Sequence, residues 1–138
     1  MKTRIFSSLL IVVIIIASSC SPGSTTATAG QIVTSGTWKI TLFSESGIDG
    51  TINYDGYVFT FSDGGTVTVV KSGATKTGTW GVSGSPGKFN IDLGAKVDAN
   101  KPLGQLTYIW KILSNTETVI RLTDDNASSN EFLTFSKN

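Results

Sequence analysis

The residues of this 138-residue chain that could carry chemistry are few, and their types argue against catalysis. The sequence contains no histidine, which is the usual general base, the usual zinc ligand and the usual pH switch. Its serines therefore have no histidine to activate them. Its carboxylates fall mostly in loops, with Asp92 and Glu131 on or beside strands. No spacing pairs two carboxylates for acid–base chemistry, so we expect no catalytic residue and no enzyme activity.

Two short polar stretches have the residue types of a calcium loop without its spacing. In the stretch 50–56, Asn53 and Asp55 stand two apart before a glycine, but Thr51 takes the position where a calcium loop needs Asp. The loop at Asp124-Asp125-Asn126 likewise has too few residues that could coordinate calcium. The single cysteine excludes a Cys-cluster metal site and a disulfide within the chain. We therefore expect no bound metal and no cofactor.

The charge balance argues against nucleic acid as a partner. The whole chain carries a formal charge of +1. Without Lys2 and Arg4, which belong to a segment that we expect to be removed, 9 of the 11 basic residues remain beside 10 acidic ones. No basic patch is present that could neutralise phosphates. With 39% apolar and 15% charged residues, the chain has the composition of one globular domain rather than a disordered segment.

The N-terminal stretch MKTRIFSSLLIVVIIIASSC predicts an export signal. Lys2 and Arg4 supply a basic start, Leu9 to Ala17 is an unbroken apolar run, and small residues follow. A membrane span needs about 20 apolar residues, so this run is too short for a retained transmembrane anchor. We therefore predict that residues 1–19 are a cleaved signal peptide.

The end of this segment, Ala17-Ser18-Ser19-Cys20, resembles the lipobox of bacterial lipoproteins, whose signal is cut just before the cysteine. The resemblance implies a lipid on the Cys20 sulfur and an acyl chain on its new amino group, and multiple chains make anchoring stable. Ser21 after the cysteine implies the outer membrane. The mature start has no acidic cluster, which favours the periplasmic face and leaves surface exposure open. Residues 20–35 would then be the lipidated cysteine and a flexible tether of about 50 Å when extended.

Residues 36–138 show the period of two that is typical of half-buried strands. In the first strand, Trp38, Ile40 and Leu42 share one face. Similar short stretches recur along the domain between glycine-rich turns, and only Gly94 to Gln105 lacks a pattern. We count eight strands and no convincing helix. This predicts an all-β fold, an eight-stranded antiparallel up-and-down barrel, with a two-sheet β-sandwich as the alternative.

The inward positions predicted by this alternation carry large aromatic side chains. They are Trp38, Tyr57, Phe59, Phe61, Trp80, Phe89, Tyr108, Trp110 and Phe135. An eight-stranded barrel has room for packed side chains or for one small ligand. These candidate barrel-lining residues are therefore either plain core, which their bulk favours, or the lining of a cavity for a small apolar molecule. In such a cavity the hydroxyls of Tyr57 and Tyr108 would be the polar handles.

The triplet GTW occurs twice, at Gly36-Thr37-Trp38 and at Gly78-Thr79-Trp80. The residues around the two triplets do not match, so an internal duplication is unsupported. We interpret both as one packing rule, in which an inward tryptophan stands near the barrel end and glycine permits close backbone approach.

The ordered set GTWKI, GYVFTF, GGTVTV, GTWGV, YIWKI, TVIRL and LTF is similar to the small lipocalin-like lipoproteins of Bacteroidetes-type bacteria. The resemblance covers nearly all of residues 36–138 and implies a lipocalin-like barrel without implying an activity. In lipocalins an arginine from the end of the barrel packs over the first-strand tryptophan. Here Arg121 is the only candidate, and it falls on the seventh predicted strand, where Ile120 and Leu122 take the inward face.

Two functional hypotheses follow from the sequence. In the first, the protein is a lipid-anchored cell-envelope lipoprotein whose barrel binds a small apolar molecule. In the alternative, it is a non-catalytic protein-interaction or envelope-structural module with a filled barrel. The sequence identifies no protein partner for the second hypothesis and no particular ligand for the first.

Overall fold

The computed structural model describes residues 27–84, 87–126 and 128–138. The predicted signal peptide and Cys20 lie outside these residues, so processing and lipid attachment stay predictions. Within the described part of the chain, no helix is long and apolar enough to cross a membrane. This part contains a short helix α1, Ala29–Val33, and the strands β1 Trp38–Glu45, β2 Ile48–Asp49, β3 Val58–Phe61, β4 Thr66–Lys71, β5 Ala74–Ser83, β6 Lys88–Asp92, β7 Tyr108–Asn115, β8 Val119–Thr123 and β9 Phe132–Lys137.

The strands form a closed antiparallel barrel. Neighbours along the sheet run in the order β2-β1-β3-β4-β5-β6-β7-β8-β9, and β1 also pairs with β9, which closes the sheet on itself. β2 is a two-residue addition that pairs with the end of β1. The other eight strands make the barrel, so the predicted eight-stranded up-and-down barrel is confirmed and the two-sheet sandwich is excluded.

A β-bulge in β1 changes which of its side chains face inward. Trp38 and Ile40 are buried as the alternation predicts, but the pairing with β9 shifts between Ile40 and Leu42. A one-residue shift moves every later side chain to the opposite face. Phe43 is therefore buried while Leu42 is 39% exposed. The expectation that Leu42 shares the inward face is wrong for this reason.

Aromatic rings pack against one another inside the barrel. The ring of Phe61 lies edge-to-face with those of Trp80, Phe89 and Phe135, at centroid distances of 5.4, 5.7 and 5.5 Å. Phe59 adds a further edge-to-face contact with Phe135 at 5.3 Å. Ring pairs in this arrangement stabilise a core beyond the burial of their area. The large inward residues thus fill the space that the barrel encloses around Phe61.

Gly78 allows β5 and β6 to approach closely. A Cβ atom at this position would lie 2.1 Å from the carbonyl oxygen of Asp92 and 2.9 Å from the Leu93 side chain. Any side chain there would push the two strands apart. The glycine of the second GTW triplet therefore has the packing role expected for it. By contrast, a Cβ atom at Gly81 on the same strand would meet nothing within 4 Å.

The helix α1 closes one end of the barrel, which we call the closed end. Its side chains at Ile32 and Val33 are buried in the core. The carbonyl oxygen of Val33 accepts a hydrogen bond from the indole nitrogen of Trp38 at 2.8 Å. The helix therefore covers the first-strand tryptophan and satisfies its polar atom.

The closed end corrects the predicted boundary between tether and domain. Residues up to Ser35 were expected to be flexible, yet α1 begins with a capping box in which Thr28 and Gln31 exchange hydrogen bonds. The buried apolar side chains of α1 hold this segment in the core. The folded domain therefore includes α1 and does not start at Gly36.

Candidate functional site: a cleft at the mouth of the barrel

The end of the barrel opposite α1 is open, and we call it the mouth. β1 runs from Trp38 at the closed end to Glu45 at the mouth. Two excursions of the chain, residues 46–57 and 94–107, extend from the strands there. Between them lies a cleft of about 510 Å³. This volume falls within the range of about 300–1,000 Å³ that is typical of small-molecule sites.

A hairpin forms one wall of the cleft. β1 and β2 are joined by Ser46 and Gly47, whose φ angles are 52° and 77°. Positive φ at both central residues defines the two-residue turn that suits the twist of a hairpin, and glycine takes the second position at no steric cost. The turn pairs Glu45 with Ile48, and both side chains line the cleft. Ile48 is 73% exposed and stands at the rim.

Hydrogen bonds from the backbone to backbone and side-chain oxygens hold this hairpin against the barrel. The amide of Gly50 donates to the carbonyl oxygen of Phe43 at 2.9 Å. The hydroxyl oxygen of Thr51 accepts from the Phe43 amide at 2.9 Å. The amide of Thr51 in turn donates to the Asp49 carboxylate at 2.9 Å. The wall is therefore fixed relative to the end of β1, as a binding surface requires.

Three aromatic rings make the floor of the cleft. The ring of Tyr54 lies 4.9 Å from that of Phe43 and 6.5 Å from that of Tyr57, measured between centroids. Phe43 and Tyr54 are buried, while Tyr57 is partly exposed. The floor is therefore continuous with the core, and Tyr57 supplies most of its accessible aromatic surface.

The segment 94–107 covers part of the mouth. Its side chains at Leu103 and Leu106 are buried in the core. The Tyr54 hydroxyl donates to the carbonyl oxygen of Pro102 at 2.9 Å. The side-chain amide of Gln105 donates to the Glu45 carboxylate, with its nitrogen 3.1 and 3.3 Å from the two oxygens. These contacts tie the cover to the floor and to the wall.

The polar groups of the cleft differ in their protonation states. Burial raises the pKa of Tyr54 far above its ordinary value, and the charge of Glu45 raises it further, so the hydroxyl stays a donor. Hydrogen bonds from the Thr51 hydroxyl and amide lower the pKa of Asp49, so this carboxylate is charged. The site thus presents fixed negative charge next to an apolar floor.

The structure separates the predicted barrel-lining residues into two groups. Seven of the nine are buried: Trp38, Phe59, Phe61, Trp80, Phe89, Trp110 and Phe135. Tyr57 lies at the mouth and lines the cleft. Tyr108 is 36% exposed, with its hydroxyl donating to the Asp124 carboxylate at 2.8 Å. Tyr108 thus does not line a closed interior as expected: it is the first residue of β7, at the mouth end of the strand, and its side chain stays exposed there.

Sequence reasoning missed most of the residues that build the cleft. The bulge in β1 turns Phe43 inward, which the alternation of the sequence does not predict. The hydrogen bonds of Tyr54 and Gln105 reach residues far away in the sequence, which no periodic pattern can indicate. For α1 a usable signal was present, since Thr28 and Gln31 have the spacing of a capping box before two apolar residues.

The position over the first-strand tryptophan is taken by a lysine. The Lys137 ammonium lies 5.7 Å from the centroid of the Trp38 ring. Lys137 belongs to β9, the last barrel strand. Arg121 is exposed on β8, the seventh barrel strand, as its alternation with Ile120 and Leu122 predicts. A cation at the end of the chain thus packs over Trp38 without being an arginine.

The fold and the cleft define a closed eight-stranded barrel with a packed interior and a pocket at its mouth. The chain is similar to a crystal structure of a DUF4847 family protein from Bacteroides vulgatus ATCC 8482, with a TM-score of 0.59 and 17% identity, over 80% of this chain and 98% of that one. It is also similar to an uncharacterized protein from Bacteroides eggerthii DSM 20697, with a TM-score of 0.52 and 14% identity, over 75% and 98%.

These likenesses support the barrel fold alone, because identities this low say nothing about activity. No family model matches the chain, and no curated protein matches it. The resemblance to lipocalin-like lipoproteins therefore stays an expectation from the sequence.

Proposed function

We propose that this protein is a lipid-anchored lipoprotein of the bacterial outer membrane, with a lipocalin-like barrel, that binds a small molecule in the cleft at its mouth. The barrel interior acts as a packed scaffold and holds no ligand. The function is binding without catalysis, in keeping with a sequence that has no histidine.

The observation that carries this proposal is the contrast between interior and mouth. Phe61 contacts three other rings at 5.4–5.7 Å and leaves no room for a ligand between them. The cleft of about 510 Å³ is floored by aromatic rings and rimmed by polar groups. Small-molecule sites have this character, with an apolar surface and a few polar groups that fix orientation. The small apolar ligand expected inside the barrel therefore has a better place at the mouth.

The course of the chain supports an orientation in which the cleft faces away from the membrane. Ala27 packs against the core next to α1 at the closed end, and the cleft lies at the opposite end. Only seven residue steps separate Cys20 from Ala27, and these span at most roughly 25 Å. A lipid on Cys20 would thus hold the closed end near the membrane and leave the mouth open to solution.

A matched pair of rim variants tests the cleft. Ile48 lines the cleft, whereas Ile52 is 78% exposed and does not line it. In the full chain reconstituted in nanodiscs, 3-phenylpropanol should shift the amide NMR signal of Gly50 and the side-chain amide signals of Gln105. Ile48→Trp should block the cleft and abolish these shifts, while Ile52→Trp should leave them unchanged. Shifts confined to core signals would contradict the proposal.

Lipid attachment is tested through Cys20. The full chain expressed with an alkyne-bearing fatty acid should incorporate the label and fractionate with the outer membrane, while Cys20→Ala should do neither. A labelled Cys20→Ala protein would refute attachment at this residue.

An alternative function, protein contact at the mouth, has one observation in its favour. Ile48 and Ile52 are 73% and 78% exposed and lie four positions apart in the sequence, both in the excursion 46–57 at the mouth. Exposed apolar side chains that lie together often mark contact sites. If this alternative holds, crosslinking in the native envelope should recover a protein, and both Ile48→Trp and Ile52→Trp should reduce its yield. Loss in neither variant would count against it.

A further inference from the structure

We infer that the mouth cleft is selective for organic ammonium compounds, that is, for ligands in which an apolar body carries a positively charged amine. This inference rests on the proposed function of the cleft and specifies the class of its ligand. It follows from which charged groups of the cleft already have partners, from the rings beside them and from the charge of the mouth as a whole.

In the described part of the chain, neither of the two carboxylates that line the cleft forms an ion pair, although the charge of Glu45 contributes to the raised pKa of Lys101. Among residues 27–84, 87–126 and 128–138, no lysine or arginine nitrogen lies within 4.0 Å of Glu45 or Asp49. Glu45 accepts hydrogen bonds from the neutral amide of Gln105, and Asp49 accepts one from a backbone amide. Glu45 is half-buried and Asp49 is exposed, so Glu45 in particular, with only a neutral hydrogen-bond partner, gains from an approaching cation.

The two lysines that line the cleft, by contrast, are already engaged. The Lys101 ammonium lies 2.8 Å from the Asp98 carboxylate, which raises the pKa of this lysine. The Lys71 ammonium lies 4.4 Å from the centroid of the Tyr57 ring, where the face of the ring attracts it. An anionic ligand would have to draw these lysines away from their partners. A cationic ligand meets carboxylates that lack such partners.

The aromatic floor suits the same class of ligand. The buried rings of Phe43 and Tyr54 and the partly exposed ring of Tyr57 form one aromatic cluster, and the Lys71 ammonium over Tyr57 shows that its exposed part attracts a cation. Ring faces attract ammonium groups, and more strongly where water is partly excluded. The apolar body of a ligand can therefore pack on the floor while its amine reaches the Glu45 carboxylate.

The wider mouth is acidic. Its strand ends and loops hold eight carboxylates, and five lysines lie among them or pair with them: Glu45, Asp49, Asp55, Asp92, Asp98, Asp124, Asp125 and Glu131, with Lys71, Lys76, Lys88, Lys96 and Lys101. A surplus of one sign around a cleft raises the local concentration of ligands of the opposite sign, and salt weakens the effect. The mouth should therefore draw cations toward the cleft.

Three probes that share one apolar body test this inference. They are 3-phenylpropylamine, 3-phenylpropanol and 3-phenylpropanoate, which are cationic, neutral and anionic at pH 7. Each probe is titrated into the full chain in nanodiscs at low salt. Its binding is measured from the shifts of the Gly50 amide signal and of the Gln105 side-chain signals. We expect the amine to bind at least about tenfold more tightly than the alcohol, and the carboxylate to bind more weakly than the alcohol.

A pair of charge variants assigns the effect to Glu45. Glu45→Gln keeps the size of the side chain and its hydrogen bond to Gln105, and should reduce amine affinity about tenfold without changing alcohol affinity. Asp55→Asn is the control, because Asp55 is exposed at the mouth, does not line the cleft and carries the same charge. It should reduce amine affinity less than about twofold at physiological salt.

Each outcome decides between the two proposals. Equal binding of the three probes in the cleft, or tightest binding of the carboxylate, would overturn the selectivity and leave the small-molecule function standing. Equal effects of Glu45→Gln and Asp55→Asn would overturn the role of Glu45 and reduce the preference to overall charge. Failure of all three probes to shift the cleft signals would overturn both proposals.

Discussion

The two ends of the barrel cover the aromatic core in different ways. At the closed end, α1 places Ile32 and Val33 in the core and uses a backbone carbonyl to satisfy the Trp38 indole. At the mouth, the cover segment inserts Leu103 and Leu106, but a cleft remains between it and the hairpin wall. Both ends keep water from the central rings. The mouth alone of the two also presents a half-buried carboxylate, that of Glu45, beside an aromatic floor.

The difference shows how a small barrel can bind a ligand without an internal cavity. A packed interior stabilises the fold, because each buried ring contributes apolar area and ring contacts. The site is then built from the segments that extend beyond the strands, which need not carry the core. In this protein those segments are residues 46–57 and 94–107.

The largest expected effect concerns the packed interior. Phe61→Ala should lower the free energy of unfolding by about 3–5 kcal/mol, because the three rings around Phe61 cannot collapse into the space that it leaves. The matched control is Phe132→Ala, since Phe132 is 38% exposed, and it should cost less than about 1 kcal/mol. Denaturant unfolding measures both. Similar losses in the two variants would mean that the interior is not packed as described.

The next effect tests whether α1 belongs to the domain. Val33 is fully buried, and Val33→Ala should destabilise the protein by about 2 kcal/mol. Val70 is 38% exposed on the outer wall, so Val70→Ala serves as the control and should cost less than about 1 kcal/mol. Thermal or denaturant unfolding gives the comparison. No loss in Val33→Ala would return residues 28–35 to the tether.

The smallest effect concerns the mouth. Tyr54→Phe removes the hydrogen bond to Pro102 and should cost about 1 kcal/mol at neutral pH. Burial raises the pKa of Tyr54, so in the folded chain this hydroxyl keeps its proton when the unfolded chain has already lost it. Its contribution is constant below about pH 10 and is lost as the pH rises above that value.

The wild-type protein should therefore lose stability above about pH 10 more steeply than Tyr54→Phe does, in unfolding curves recorded across that range. Parallel losses in the two proteins would show that Tyr54 titrates normally and that the cover segment does not bury it.

The barrel could be predicted because its strands follow a local rule. Side chains such as Phe59 and Phe61 alternate with polar neighbours, and a period of two is visible without knowledge of the partner strand. The bulge after Ile40 could not be seen, because Leu42 and Phe43 are both apolar and either could face inward. Only the pairing with β9 decides between them.

The candidate site was beyond prediction for a different reason. The Tyr54–Pro102 and Glu45–Gln105 contacts join residues that are 48 and 60 positions apart. Tyr54, Pro102 and Gln105 lie in segments without a periodic pattern, where tertiary contacts alone fix the conformation. The tryptophan of each GTW triplet could be predicted to lie in the core. The position of a ligand site, by contrast, depends on how two irregular segments pack against each other.

The most direct test of the account is to locate a bound probe. Nuclear Overhauser effects between 3-phenylpropylamine and the full chain in nanodiscs report which side chains lie within about 5 Å of the ligand. We predict contacts from its ring to the methyl groups of Ile48 and to the ring of Tyr57. Contacts to Phe61 and Phe135 would place the ligand inside the barrel and contradict the claim that the interior is filled.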